Sequence, residues 1–205
     1  MTAGNLLRAG LLALLLALVL RPDWFAPLFA PLAPAGGPVI YARSSLLSLS
    51  LSHLGLVALA SVAATLVAVT LAIFVTRPVG ASFLPLSRTI TNIGQTFPPV
   101  AVLALAVPAL GFGAGPTLVA LFLYGLLPIF ENAITALSTL PPATMEAARG
   151  MGLNRWQRLW RVELPLALPV ILTGIRLSVV IALGTATIGS TVAARTLGEV
   201  IIAGL

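Results

Sequence analysis

Between His53 and Val75 the chain runs for 23 residues without a charged side chain. A helix of that length, rising about 1.5 Å per residue, crosses the roughly 30 Å hydrocarbon core of a bilayer. Inside that core no water reaches the backbone, so each N–H and C=O must find its partner within the protein, as a helix provides within its own segment. Gly55, Ala58, Ala60, Ser61, Ala63, Ala64 and Ala68 give the run small positions at which other helices can approach closely.

The remaining apolar runs define the architecture. Leu6 to Leu20 is interrupted only by Arg8 and reads as a retained first span anchored by Trp24, with a signal-peptide core as the alternative. Pro22 to Ser52 reads as an external connection with room for a short interfacial helix near Ser44 to Leu51. Thr96 to Leu110, Thr117 to Leu137 and Val170 to Thr191 are further spans, and Val200 to Leu205 begins another. The expected fold is an all-α, polytopic transmembrane bundle with about five spans plus the start of a sixth. It divides into 1–52, an N-terminal span and external connection, and 53–205, a transmembrane domain with a cytoplasmic loop at 141–169. Composition agrees: 59% of residues are apolar and 8% charged, too few charges to keep a soluble surface wet.

Several chemistries are excluded by what the sequence lacks. All the basic residues are arginine, so no P-loop lysine can reach a nucleotide phosphate. There is no cysteine, and the one histidine, His53, reads as a solvated residue at a span edge. No span carries a catalytic pair. The net charge of +6 is spread along span ends rather than gathered in a soluble basic domain, which argues against nucleic acid.

Pro98 and Pro99 admit two readings. Either they break a helix and leave carbonyls that a cavity or neighbour must satisfy, or they open a helix at its first turn, where proline costs nothing. Glu131 and Asn132, toward the end of the following span, are the other polar candidates for a pathway, although a paired or interfacial Glu131 fits equally well. Arg176, counted from Pro169, lies about 10 Å inside its span and reads as a snorkelling residue.

The longest polar stretch is Pro141 to Pro169, with four arginines and two acids between two apolar spans. Placing it in the cytoplasm puts Arg8, Arg77, Arg88, Arg149, Arg155, Arg158 and Arg161 inside, with Arg21, Arg43 and Arg195 outside, the direction that the positive-inside rule requires. Arg77 and Arg88 bracket a short polar loop in that reading. Pro141 and Pro142 stop the preceding span, and Ala143 to Arg149 should form a short helix with Glu146 in its first turn. Gly150 and Gly152 permit its sharp ending. Asn154 and Gln157 suggest a capping box opening a second helix, limited by Pro165 and Pro169. On residues alone, this could be no more than an amphipathic connection at the interface.

A resemblance adds to that reading. Glu146-Ala147-Ala148, three residues, Gly152, nine residues, then Val162-Glu163-Leu164-Pro165 resembles the Glu-Ala-Ala loop of binding-protein-dependent ABC importer permeases of the MetI-like superfamily, with valine where isoleucine is usual. Gln95-Thr96-Phe97-Pro98-Pro99-Val100-Ala101, Leu127-Pro128-Ile129 with Asn132, and Glu163 to Pro169 are similar to the osmoprotectant, or quaternary-amine, branch. Glu131 departs from the basic residue expected before the asparagine. The resemblance implies a bacterial inner-membrane permease subunit that imports glycine betaine or choline-type solutes. It would hydrolyse nothing and bind no cofactor, ATP being used by a partner ATPase. Glu146, Ala147, Ala148, Gly150, Met151, Gly152, Leu164 and Pro165 would form the ATPase-coupling element, with Met151 and Leu153 packing into the ATPase. Pro98, Pro99, Glu131 and Asn132 would lie along the pathway. The implied partners are ABC ATPase subunits, a second permease subunit (identical or different), an external substrate-binding protein and membrane lipid. A permease of the same class for amino acids or other small solutes, and a secondary transporter, are the alternatives.

Overall fold

The computed structural model describes residues 3–32 and 38–204, in which every regular element is helical. The middle of the expected external connection, 33–37, and Leu205 lie outside them. Eight helices carry the architecture: α1 (Ala3–Leu20), α2 (Leu46–Val75), α3 (Leu84–Thr96), α4 (Pro99–Leu110), α5 (Ala114–Ser138), α6 (Pro142–Gly150), α7 (Leu164–Thr185) and α8 (Gly198–Ala203). Three helical segments are long and apolar enough to cross a membrane alone: Leu46–Val75, Ala114–Ser138 and Arg155–Val192. The number rises to five if each of two sharply bent pairs is one span.

Two boundaries differ from those read in the sequence. The proposed interfacial helix at Ser44 to Leu51 is the first part of α2, whose N-cap Ser45 accepts a hydrogen bond from the Ser48 N–H at 3.1 Å. Ser45 satisfies a first-turn donor and so starts the helix well before the apolar run begins. Arg88 lies within α3 rather than at the end of a loop.

The core is the three-way packing of α2, α5 and α7. Ala60, Ala64, Ala68 and Ala72 recur every four residues along one stripe of α2, and all are buried. In lipid, contact between helices rests on close approach, because the tails are as apolar as the side chains. Of the small residues noted in this span, Ser61 also lies inside, whereas Gly55 and Ala58 face outward. Against the stripe stand Ile129, Phe130 and Ala133 of α5 and Ala167 and Ile171 of α7. Gly174 sets the α5–α7 separation: a Cβ there would lie 2.7 Å from the Pro128 carbonyl oxygen and 2.8 Å from the Asn132 Cβ.

His53 is not at a solvated edge. It is only 3% exposed, and its ring bridges α2 to the far end of α7 and the turn before α8. The Leu197 N–H donates to Nδ1 at 3.4 Å, so Nε2 carries the proton and donates to the Leu183 carbonyl at 3.1 Å. The helix begins seven residues earlier than the apolar run, so His53 falls two turns inside it.

Candidate functional site

Two polar constructions stand out from the apolar bundle. The first is the elbow between α5 and α7. Pro141 and Pro142 end the α5 segment, and the Pro141 carbonyl accepts from the N–H groups of Thr144 and Met145 as α6 begins. At the other end, Leu153 N–H bonds the Ala148 carbonyl at 3.2 Å and Gly152 N–H bonds the Arg149 carbonyl at 2.9 Å. Gly152 has φ +75°. This is a Schellman ending, and the left-handed position is the one that favours glycine. Gly150 is an ordinary helical residue, so only one of the two glycines serves as the breaker. Glu146 is exposed and five residues into a helix that starts at Pro142, beyond the first turn in which the dipole would favour it. Ala148 is buried beneath the elbow, whereas Ala147, Gly150 and Met151 are exposed.

The capping box is present. Asn154 Oδ1 accepts from the Gln157 N–H and Gln157 Oε1 accepts from the Asn154 N–H, both at 2.9 Å. The helix it opens does not stop at Pro165 or Pro169. Arg155–Arg158 leads through a π turn at Leu159–Glu163 into α7, so the second half of the polar stretch is the start of a 38-residue helical segment. Pro165 occupies the first turn of α7, where its missing N–H is tolerated. The widened turn sits where its ring would otherwise meet the Arg161 carbonyl. Leu164 and Pro165 thus belong to the span itself. Arg176 is exposed, 12 residues beyond Leu164 on α7.

Glu163 holds this corner together. It is 2% exposed, and its carboxylate meets Arg77 Nη2 at 2.5 Å and Arg158 Nε at 3.1 Å. Arg77 follows the end of α2, so the contact ties two spans together at one membrane face. The five-residue separation of Arg158 and Glu163 matches one π turn, a local signal. Arg77 lies 86 residues away in sequence, and nothing local announces it.

The second construction is a polar lane on α3 and α5. Arg88, Asn92, Gln95 and Thr96 lie on one exposed face of α3. Arg88 Nε and Nη2 donate to the two oxygens of Glu131 at 3.0 and 3.2 Å. Glu131 is seven residues before Ser138, about 10 Å from that end of α5. Farther along, Pro128 cannot donate to the Tyr124 carbonyl, and Gln95 Nε2 does so instead at 3.2 Å. The Tyr124 hydroxyl in turn donates to the Phe97 carbonyl at the break between α3 and α4.

That break joins the two readings of Pro98 and Pro99. Pro99 opens α4 at its first turn, and the helices on either side meet at 97°. The carbonyl freed at Phe97 is satisfied by a neighbouring helix. Asn132 is placed differently from Glu131: its Nδ2 donates to the Pro128 carbonyl at 2.8 Å, and its Cβ packs under Gly174. The sequence did not single out Gln95 or Tyr124 as partners; the four-residue spacing from Tyr124 to Pro128 was the available signal.

Comparison with known proteins fits these features. Residues 64–205 match the family model for binding-protein-dependent transport system inner membrane components. The chain is 44% identical over 160 residues to the osmoprotectant import permease protein OsmY of Salmonella typhimurium, covering 78% of this chain and 68% of that protein. It is 37% identical over 147 residues to the glycine betaine/carnitine/choline transport system permease protein OpuCB of Bacillus subtilis, covering 69% and 68%. Among solved structures, an inward-facing MetNI methionine ABC transporter superposes with a TM-score of 0.65 at 23% identity, covering 75% of this chain and 77% of that one, a likeness of fold. The chain therefore belongs to the binding-protein-dependent transport system inner membrane components, and is a multi-pass, non-catalytic permease subunit of an ABC importer with a MetI-like helical bundle.

Proposed function

We propose that this permease imports quaternary-ammonium osmoprotectants such as glycine betaine or choline across the bacterial inner membrane. Its energy comes from a separate ATPase docked on the cytoplasmic face of α6. The observation that carries the proposal is a short helix, stopped by Gly152, whose Glu146, Ala147 and Gly150 are exposed while Ala148 anchors it to the bundle. These residues belong to the Glu-Ala-Ala loop, and two relatives are named for the import of osmoprotectants and of glycine betaine, carnitine and choline.

Movement of α6 reaches the spans by two routes. One is covalent, through Leu153 and the capping box into the continuous helix that becomes α7. The other is electrostatic, through Glu163 to Arg77 at the end of α2. A push on the elbow therefore turns two of the three core helices together, as a switch between inward and outward access requires. Met151 and Leu153 pack into the ATPase, while Leu164 and Pro165 start the span that follows.

The polar lane lines the pathway. Its exposed arginine, glutamate and amides would be costly against lipid at a depth of about 10 Å, so the lane faces water or a second permease subunit. Glu131 and the Pro98-Pro99 break lie on this lane, and Asn132 braces it from behind. Pairing with Arg88 leaves Glu131 without the free charge that would attract a cation. Selectivity therefore resides mainly in the external binding protein.

The proposal is tested by reconstituting the chain with its ATPase, second permease subunit and binding protein in liposomes. ATP-dependent accumulation of glycine betaine or choline is expected. Accumulation of an amino acid instead would replace the substrate, and accumulation without ATP would overturn the coupling.

A further inference from the structure

A cavity of about 860 Å³ opens between the α6 elbow and the ends of α2 and α5. Four arginines line it, Arg77, Arg149, Arg155 and Arg158, against one acid, Glu163, which leaves a net charge of +3. Glu163 engages Arg77 and Arg158. The side chains of Arg149 and Arg155 make no ion pair or hydrogen bond among the described residues. Its apolar wall comes from Phe74, Leu137 and Leu140, near the ends of two spans, and from Trp156, which is 72% exposed. The cavity thus combines cationic groups at headgroup level with an apolar side continuous with the spans.

The ligand chemistry that matches is an anionic headgroup carrying acyl chains. We propose that this cavity binds one anionic phospholipid of the inner leaflet, with the phosphate between Arg149 and Arg155 and the chains running along Phe74 and Leu137. The inference rests on the cytoplasmic placement of the elbow, but not on the transported substrate.

The helical register of α6 separates this site from the ATPase-docking face. Met145 and Arg149 are one turn apart and line the cavity. Ala147 and Gly150 lie about 140–160° around the helix from Met145 and about 100–160° from Arg149 and point away from the cavity, with Glu146 between the two faces. Arginine forms the phosphate contacts with two parallel N–H donors, and Trp156 has the amphipathic ring suited to the interface.

The test is retention of phosphatidylglycerol by the purified chain in nanodiscs of mixed phosphatidylglycerol and phosphatidylcholine, read by native mass spectrometry. The wild-type chain should retain phosphatidylglycerol preferentially, and the R149Q/R155Q double variant should lower that preference about tenfold. R161Q, an exposed arginine outside the cavity, should leave it intact. Excess inorganic phosphate should compete only weakly, because it lacks the chains; complete displacement would show a phosphate site rather than a lipid site. Equal retention by wild type and double variant overturns the proposal, as does an effect of R161Q as large as that of the double variant. If the double variant retains lipid normally but loses the ATPase, the surface belongs to that partner and the proposal fails.

Discussion

Two glutamates in this permease each meet arginine, and their surroundings give them different work. Glu163 is enclosed, receives two arginines from separate parts of the chain, and fixes the geometry where α2 ends and α7 begins. Glu131 receives one arginine in a bidentate pair, with side-chain exposures of 51% for Arg88 and 38% for Glu131. Removing one member of an enclosed cluster leaves unbalanced charge away from water, whereas an open pair can exchange its partner for solvent at little cost. The clamped corner is therefore structural. The lane stays adaptable.

That contrast is easiest to break at the corner. Glu163→Gln should destabilise the bundle by about 3 kcal/mol, because Arg77 and Arg158 lose their carboxylate. Thermal unfolding in detergent should show a marked fall in midpoint, and an unchanged midpoint would mean that the corner is not held electrostatically. Gly174→Leu probes the packing of the same side without touching charge. Overfilling the α5–α7 contact against Pro128 and Asn132 should cost about 2 kcal/mol by the same assay.

On the lane, effects on stability should be smaller and effects on transport relatively larger. Gln95→Ala leaves the Tyr124 carbonyl without its donor and should cost about 1 kcal/mol, together with slower uptake in proteoliposomes. Glu131→Gln should change stability by no more than about 0.5 kcal/mol while still reducing uptake. If Glu131→Gln destabilises the protein as much as Glu163→Gln, the distinction between the two glutamates disappears.

The same contrast marks what could be read from the residues alone. The three long spans, the short helix ending at Gly152 and the Asn154–Gln157 capping box follow from local rules, because run length, φ preference and side-chain reach are properties of neighbouring residues. The corner was hidden because Arg77 and Glu163 meet only after α2 and α7 pack. His53 misled because it opens an apolar run, yet Ser45 starts the helix earlier and carries it inside. Proline misled at Pro165 and Pro169: Pro165 is accommodated by a first-turn position and an adjoining π turn, and Pro169 stands inside α7 without ending it. At Pro98-Pro99 the residues supported both a break and a helix start, and packing allows both.

The account turns on the outward face of α6 receiving the ATPase. The chain contains no cysteine, so an introduced thiol is the only one it carries. Single variants Ala147→Cys and Met145→Cys, assembled with the ATPase and treated with a short thiol cross-linker, compare the outward face with the cavity face. The account predicts a cross-link to the ATPase from Ala147→Cys that changes with ATP, and none from Met145→Cys. A cross-link from Met145→Cys alone, or from neither in an assembled and active transporter, would contradict it.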